Sequence, residues 1–468
     1  MSAECFVRRT HLPVSAAEVF RWHARPGALE RLTPPWEAVT VLERTGDITN
    51  GSRVTLEVRL GLWRQRWVLE HRAYQEDAQF CDVQMTGPLA RWEHLHRFEP
   101  DGASASYLED RITYALPLGS VARLLAGPFL LRKLHRLFTY RHDVTMHDLA
   151  AHAVCRQGTP MHVLVSGSTG LVGSALVPFL TTGGHRVTRL VRTPPRPGTA
   201  EVQWQPDAGR LDAAAFDGVD AVVHLAGENL ATGRWNTEKK ARIRDSRVQG
   251  TRTLCEALAQ LPNPPGVLVS ASAIGYYGDR GADLLHEGSP AGQDFLAEVC
   301  RAWEEATEPA VQCGIRVVPL RLGMVLSPAG GALATMLLPF QIGLGGTLGT
   351  GQQYMSWIAL DDVLGAIHHA LVTPSLRGPV HAVAPHAVTN RAFTTILGQV
   401  LGRPTFVPLP SCAARFAFGE MADALLLAST RVAPACLLET GYAFRYPDLA
   451  SALRHLLGKA KDASQQKV

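Results

Sequence analysis

Hydrophobic and polar positions along the first part of the chain alternate with the period of strands and then change to the period of a helix. Phe6 to Val14 reads as a strand. Ser15-Ala-Ala-Glu18 follows as a capping box, in which a serine side chain and a glutamate three residues later satisfy orphan amides, and it opens a helix expected to run to about Glu30. From Thr40 to Tyr114 come SRVTLEVRL, RQRWVLEHRAY, QFCDVQM, RWEHLHRFEP and SYLEDRITYAL, separated by turn residues such as Thr45-Gly46-Asp47 and Asp101-Gly102. That pattern predicts an antiparallel sheet. Between Val121 and Leu149, the residues Leu130, Leu134, Leu137 and Phe138 form a stripe, with Arg132, Lys133 and Arg136 on other faces. A long amphipathic helix lying on the sheet is expected; a helix on an anionic membrane is the less favoured alternative, because such stripes ordinarily pack against protein.

Around His152 to Pro160 the apolar periodicity is lost, which marks a domain boundary, and Met161 begins a dense β-branched run. Met161-His-Val-Leu-Val-Ser166 reads as a strand, Gly167-Ser-Thr-Gly170-Leu-Val-Gly173 as a turn, and Leu171 to Leu180 as a helix closed by Gly183-Gly184. A second strand, HRVTRLVR, follows at βαβ spacing. The rhythm continues through AVVHLAG at 221–227, a helix over Thr237 to Leu261, VLVSAS at 267–272 and a helix from Asp294. This is the pattern of an α/β fold with a Rossmann-type doubly wound parallel sheet. From Ser411, ARFAFGEMADALLLAS and DLASALRHLLG read as short amphipathic helices covering the substrate side, with Pro434 and Gly441 between them. The expected domains are therefore residues 1–152, an α+β unit; 161–405, the nucleotide-binding unit; and 411–460, a small helical unit.

The glycine turn carries the clearest chemistry. Gly167 permits the tight turn, Gly170 lets backbone approach a pyrophosphate, and Gly173 allows close helix packing. Ser168, Thr169, Leu171 and Val172 complete the turn at a helix N-terminus, which favours phosphate. Where an NAD-preferring fold places an acid at the end of the second strand, this chain has Leu190-Val191-Arg192, with Arg189 nearby. A cation there suits a 2′-phosphate, so NADP(H) is the expected cofactor, with Arg192 preferred to Arg189.

The G-x-x-G-x-x-G turn, His224-Leu-Ala-Gly227, and Ser272 five residues before Tyr277-Gly278-Asp279 resemble the extended short-chain dehydrogenase/reductase superfamily. HLAGENLATGRW, SRVQGTRTL, SASAIGYYGDRG, DFLAEVCRAWE and LETGYAFRYPDL look like its atypical NAD-dependent epimerase-like subfamily, over roughly Met161 to Leu457. The first domain resembles the START-like polyketide-cyclase and lipid-transport superfamily, whose helix grips a curved sheet around an apolar cavity. The nucleotide-domain resemblance implies cofactor contacts from Leu225, Ala226, Gly227, Ser270 and Arg321. It implies substrate contacts from Glu228, Asn229, Trp235 and Trp357, and places Asp361 and Asp362 near the same cleft. The superfamily's tyrosine-x-x-x-lysine pair is absent: the chain reads Phe295-Leu-Ala-Glu-Val299, and the next register gives Leu296 and Cys300. The helix asparagine is likewise replaced, by Arg247. Ser272, Tyr276 and Tyr277 remain as catalytic candidates. The expected activity is an NADP(H)-dependent oxidoreductase or epimerase-like reaction on a small substrate; the alternative is a non-catalytic NADP(H) sensor or apolar-ligand-binding protein.

Composition narrows the remaining possibilities. The chain has 468 residues, 46% hydrophobic and 19% charged, enough for several globular domains. A net charge of +4, with basic residues scattered among acidic ones, supplies no cationic stripe for nucleic acid. The N-terminal stretch lacks the apolar core of a signal peptide and no segment is long and uncharged enough to span a bilayer, so a cytoplasmic location is expected. The eight cysteines are widely spaced and read as free thiols. Neither His94 with His96 nor His368 with His369 has a spacing read as convergent, and no metal is expected. Trp63, Trp67, Phe80, Trp92 and Phe98 lie on or beside strands, where core filling is favoured over lining a ligand cavity. The partners expected are a small-molecule substrate and an apolar ligand in the first domain, with the oligomeric state left open.

Overall fold

The computed structural model describes residues 3–60, 63–117, 119–153, 160–206, 209–211 and 216–460. Two compact units divide between Ala153 and Pro160. Most of the expected linker, Cys155 included, lies outside the described residues, and all seven described cysteines are free. No described helix is long and apolar enough to cross a membrane.

The first unit contains β1 (Glu4–Leu12), α1 (Ala16–Ala24), α2 (Ala28–Leu32), β2 (Val39–Thr45), β3 (Arg53–Leu60), β4 (Trp63–Gln75), β5 (Gln79–Thr86), β6 (Arg91–Asp101), β7 (Ala105–Ala115) and α3 (Gly119–Ala153). The strands form one antiparallel sheet in the order β1-β7-β6-β5-β4-β3-β2, because consecutive strands joined by short turns pair with each other and β1 closes against β7. The single helix expected to reach Glu30 is broken in two. Pro26 has no amide to donate and Gly27 adopts φ 96°, so α1 stops and α2 restarts. The capping box does not form either: Ser15 makes no side-chain cap bond, and the Glu18 carboxylate pairs with Arg21 at 3.0 Å and Arg25 at 3.2 Å.

The expected stripe on α3 is buried at Leu134 and Phe138, which pack with Phe6, Trp92, Ile112 and Tyr114. A second apolar cluster gathers Leu12, Phe80, Phe98, Leu108 and Leu149. Trp67 packs partly buried against the first cluster. Trp63 departs from the core-filling expectation, being 81% exposed.

Between these clusters runs a polar band. Successive inward positions of β6 are Trp92, His94, His96 and Phe98, so two histidines occupy places where the strand pattern calls for apolar side chains. Register sets Asp82 of β5 opposite His94 and Asp110 of β7 opposite His96. Alternate residues of a strand share a face. The expectation that His94 and His96 do not converge is therefore corrected: their ligand-capable nitrogens and an Asp82 oxygen lie within 4.8 Å of one another.

α2 is tied to α3 by a buried bidentate pair, Arg31 Nε and Nη2 each donating to the Asp148 carboxylate at 2.8 Å. Removing one member takes the bidentate countercharge from a buried charge. Arg31→Met should lower the free energy of unfolding by about 3–5 kcal/mol in a denaturant titration; a change below about 1 kcal/mol would show that the pair does not hold the helices.

The second unit opens with β8 (His162–Ser166), α4 (Leu171–Thr182), β9 (Arg186–Val191), β10 (Glu201–Gln205), β11 (Arg210–Leu211), β12 (Ala221–His224), α5 (Thr237–Ala259) and β13 (Val267–Ala273). After a 3-10 turn at Ile274–Tyr277 come β14 (Leu284–Leu285), α6 (Phe295–Glu305), α7 (Glu308–Gln312), β15 (Arg316–Leu322), β16 (Met324–Leu326) and α8 (Gly331–Gln341). The remainder is β17 (Tyr354–Met355), β18 (Trp357–Ala359), α9 (Leu360–Val372), β19 (Val380–Ala382), β20 (Val388–Thr389), α10 (Asn390–Leu401), α11 (Ser411–Phe418), β21 (Arg431–Val432), α12 (Ala435–Glu439) and α13 (Leu449–Leu456).

The main sheet runs β11-β10-β9-β8-β12-β13-β15-β19, parallel throughout except at the β10–β11 edge. The α/β doubly wound architecture is thus present. The chain winds outward from β8 to β10 and then returns to β12, so the switch point that positions nucleotides lies between β8 and β12. Both of these strands are buried along their whole length.

The C-terminal segment is held by the start of α9. Asp362 is fully buried and accepts the backbone amides of Arg445 at 2.7 Å and Tyr446 at 3.0 Å, while Asp361 faces His455 Nε2 at 3.3 Å. β21 adds a parallel partner to β14.

Candidate nucleotide site

The glycine turn leaves β8 at Ser166 and enters α4 at Leu171. Gly167 sits at φ 68°, and a Cβ there would lie 2.6 Å from the Leu225 carbonyl carbon. A Cβ on Gly173 would stand 2.3 Å from the Gly167 oxygen, and one on Gly170 would be 3.3 Å from it. Backbone therefore crosses backbone at the switch point, and only glycine allows it at the first and third positions. Thr169 and Gly170 are exposed at the crest, whereas the Ser168 hydroxyl is buried without a hydrogen-bond partner. Leu171 and Val172 begin α4, whose first amides have no carbonyl within the helix to bond.

A buried relay braces this crossing. Ser166 Oγ accepts the Leu225 amide at 3.2 Å and lies 2.7 Å from His224 Nδ1. His224 Nε2 is 3.0 Å from Thr251 Oγ1, which also accepts the Trp303 indole N–H at 2.8 Å. Each hydroxyl already accepts an N–H, and the neutral ring between them donates from one nitrogen and accepts at the other. Burial pushes the His224 pKa down to about 4, so the ring stays neutral. Leu225 and Ala226 continue β12 half-buried, and Gly227 is exposed beside the Arg247 guanidinium. Ser270, in the middle of β13, is 1% exposed and its hydroxyl has no partner among the described residues.

Arg189 and Arg196 both bond the Glu201 carboxylate, Arg196 Nη2 at 2.8 Å. Arg192, just past β9, is exposed and has no side-chain hydrogen bond or ion pair among the described residues.

The nicotinamide-end candidates fall into a second buried network. Ser272 Oγ donates to Glu304 Oε1 at 2.6 Å. Arg321 clamps the same carboxylate with Nε to Oε1 and Nη2 to Oε2, each at 2.8 Å. Arg321 Nη1 also donates to Tyr277 OH at 2.6 Å. Tyr277 OH in turn lies 2.6 Å from His381 Nε2, and His381 Nδ1 is 2.7 Å from the Ala433 carbonyl. A carbonyl only accepts, so His381 carries its proton on Nδ1 and takes the phenolic proton at Nε2. Tyr277 is fully buried, and burial pushes its pKa up to about 12. Tyr276 differs: it remains half-buried, with the Arg321 guanidinium 3.6 Å over its ring.

The substrate-side candidates separate. Glu228 accepts Lys239 Nζ at 2.6 Å, and that buried ammonium also bonds Thr232 Oγ1 at 2.9 Å, lowering the Glu228 pKa. Asn229 is exposed and caps its own turn through the Ala231 amide at 2.9 Å. Trp235 gives its indole N–H to the Leu230 carbonyl at 2.9 Å and meets Phe295 edge-on. Trp357 is fully buried, its N–H bonded to the His386 carbonyl at 3.1 Å, and it does not reach the cleft.

Family models match three stretches: polyketide cyclase / dehydrase and lipid transport at 12–138, the NAD dependent epimerase/dehydratase family at 163–383, and a domain of unknown function, DUF1731, at 409–456. An epimerase family protein of Mycobacterium bovis is 45% identical over 291 residues, 62% of this chain and 96% of the relative. The chain belongs to the NAD-dependent epimerase family. Among solved members, a nucleoside-diphosphate sugar epimerase of Corynebacterium glutamicum is 34% identical with a TM-score of 0.81, covering 99% of this chain and 92% of that one. The human epimerase family protein SDR39U1, solved with NADPH, is 36% identical with a TM-score of 0.58, covering 63% and 99%.

Within this epimerase-family site, sequence reasoning missed Glu304, His381 and Lys239. Each contacts a candidate residue from an element remote in sequence. The only local signal was a glutamate directly after Trp303 on the helix that lacks the tyrosine-lysine pair. Overpacking at a backbone crossing costs about 1–3 kcal/mol. Gly173→Ala should weaken nucleotide binding at least about tenfold in a fluorescence titration while circular dichroism stays unchanged; equal affinity would show that the turn is not the phosphate cradle.

Proposed function

We propose that the chain binds NADP(H) across the glycine turn and acts as an oxidoreductase on a small carbonyl, alcohol or sugar-nucleotide substrate. The observation that carries the cofactor choice is Arg192, exposed just past β9 and without a side-chain hydrogen bond or ion pair among the described residues, while Arg189 and Arg196 are held by Glu201. The residues fit the group in two further ways: glycines at 167 and 173 let the turn close tightly on its own backbone and on Leu225 where a Cβ would clash, and the hydroxyls of Ser168 and Ser270 are buried without partners. The solved human relative with NADPH supports the same choice. When bound, nicotinamide supplies or accepts the hydride.

The chain's own groups then divide the work. The turn amides and Ser168 hold phosphate, and Arg192 pairs with the 2′-phosphate. Glu304, Arg321 and His381 hold Ser272 and Tyr277 in place, so neither hydroxyl is offered to a ligand. Tyr276 is the half-buried phenol that this network leaves unheld, with Arg321 stacked on its ring, and it is the group assigned to proton transfer. The second reading, a non-catalytic NADP(H) sensor, is favoured by the engagement of Ser272 and by Phe295 and Val299 standing where the tyrosine-lysine pair would be.

Two measurements separate these readings. Arg192→Glu should weaken NADPH by roughly ten- to a hundredfold, as loss of a charged hydrogen bond does, and leave NADH unchanged; equal loss of both would remove the 2′-phosphate role. In single-turnover oxidation of bound NADPH against a panel of carbonyls and sugar nucleotides, Tyr276→Phe should slow hydride transfer at least about a hundredfold and Tyr277→Phe far less. Tight binding with no turnover on any substrate would favour the sensor.

A further inference from the structure

The first unit buries a cluster that the nucleotide chemistry does not use. His94 Nε2 and His96 Nδ1 each lie 2.8 Å from Asp110 Oδ1, and His142 Nε2 lies 2.8 Å from Asp110 Oδ2. An ionised carboxylate only accepts, so His94 Nε2 and His142 Nε2, which hydrogen-bond Asp110, carry protons, whereas His96 Nδ1 makes no hydrogen bond there. His142 confirms the pattern, since its other nitrogen is 2.7 Å from the Thr10 hydroxyl, which donates to it.

The remaining nitrogens of His94 and His96 point the other way. His96 Nε2 is 3.2 Å and His94 Nδ1 3.8 Å from Asp82 Oδ2. Two imidazole nitrogens thus converge with a carboxylate in a site where His94 is 3% and His96 5% exposed; His96 Nε2 hydrogen-bonds Asp82, and an ion bound there would displace that proton. His71 Nδ1 lies 2.6 Å from Asp82 Oδ1, yet neither of those buried atoms has a hydrogen-bond partner.

The geometry points to a divalent transition-metal site, Zn2+ by its donor set, ligated by Asp82, His94 Nδ1 and His96 Nε2. Ligand atoms within 4.8 Å of one another fit around one ion with bonds of about 2.0–2.2 Å after small side-chain shifts. Asp110 is the orienting carboxylate behind His94, the usual arrangement in which a second acceptor fixes a ligand's tautomer, and it also lies 2.8 Å from His96 Nδ1. One divalent ion also balances the two aspartates. Three protein ligands leave a fourth position for water or a ligand atom.

The test uses the full-length chain. After stripping with a chelator, Co2+ titration should give visible ligand-field bands saturating at one ion per chain, with Zn2+ displacing it. Asp110→Asn should weaken uptake about ten- to a hundredfold, and Asp82→Asn and His94→Gln should abolish the bands. His11→Ala, at an exposed histidine, should leave them unchanged. If the variants unfold, paramagnetically shifted imidazole N–H resonances from two histidines in the Co2+-loaded wild type serve instead. A folded, stripped wild type that takes up neither Co2+ nor Zn2+, or bands that survive Asp82→Asn and His94→Gln together, would overturn the site. NADPH affinity is read in parallel and should not move, so failure here leaves the nucleotide reading untouched.

Discussion

The bidentate pair between Glu304 and Arg321 governs what the nucleotide unit can do. A full charge on either residue alone, at this degree of burial, costs several kcal/mol, so each requires the other. Once they are joined, little freedom remains around them. The second side of Arg321 meets Tyr277, Tyr277 meets His381, and His381 meets the C-terminal segment at Ala433. One ion pair therefore links β13, α6, β15, β19 and the chain end, and in doing so it engages the two hydroxyls that the superfamily would ordinarily place at the nicotinamide. Position along β13 explains why: Ser270 and Ser272 share one face of the strand, and only Ser272 meets a carboxylate from α6.

A different constraint acts at the other end of the cleft. There the requirement is steric, since Gly167, Leu225 and Gly173 bring three backbone segments closer than any side chain permits. The relay from Ser166 through His224 and Thr251 to Trp303 supports that crossing from beneath. The phosphate end is thus rigid because backbone meets backbone, and the nicotinamide end is rigid because charge meets charge. The rim, at Thr169, Gly170, Arg192, Gly227 and Asn229, is exposed and can respond to a ligand.

The legibility of these features in the sequence follows the same division. The glycine turn, the βα rhythm and the antiparallel meander are local patterns, set by spacing and period, and they read directly from the chain. The sequence favours Arg192 over Arg189, and β10 supplies the physical reason by bringing Glu201 beside Arg189. Glu304, His381 and Lys239 were invisible because their partners lie 11 to 104 residues away, with nothing local to mark them. Ser15 and Glu18 illustrate the reverse case, a strong local signal overridden when two arginines compete for the same carboxylate.

The polar band in the first unit shows where pattern reading has most to gain. His94-x-His96 on a strand was discounted for its spacing, although a period of two is what puts two side chains on one face. The missing information was register: Asp82 opposite His94 and Asp110 opposite His96. A core of this size would be simpler as one apolar cluster, since Phe6, Trp92 and Phe138 on one side and Leu12, Phe98 and Leu149 on the other would merge if the band were hydrophobic. Replacing buried polar networks by apolar residues is often neutral or stabilising, so fold stability alone does not account for two aspartates and four histidines in the band. Local departures from the binary pattern that carry such a cost occur where a protein binds or reacts. On that ground the band, more than any apolar surface of the sheet, is where a function of the first unit resides.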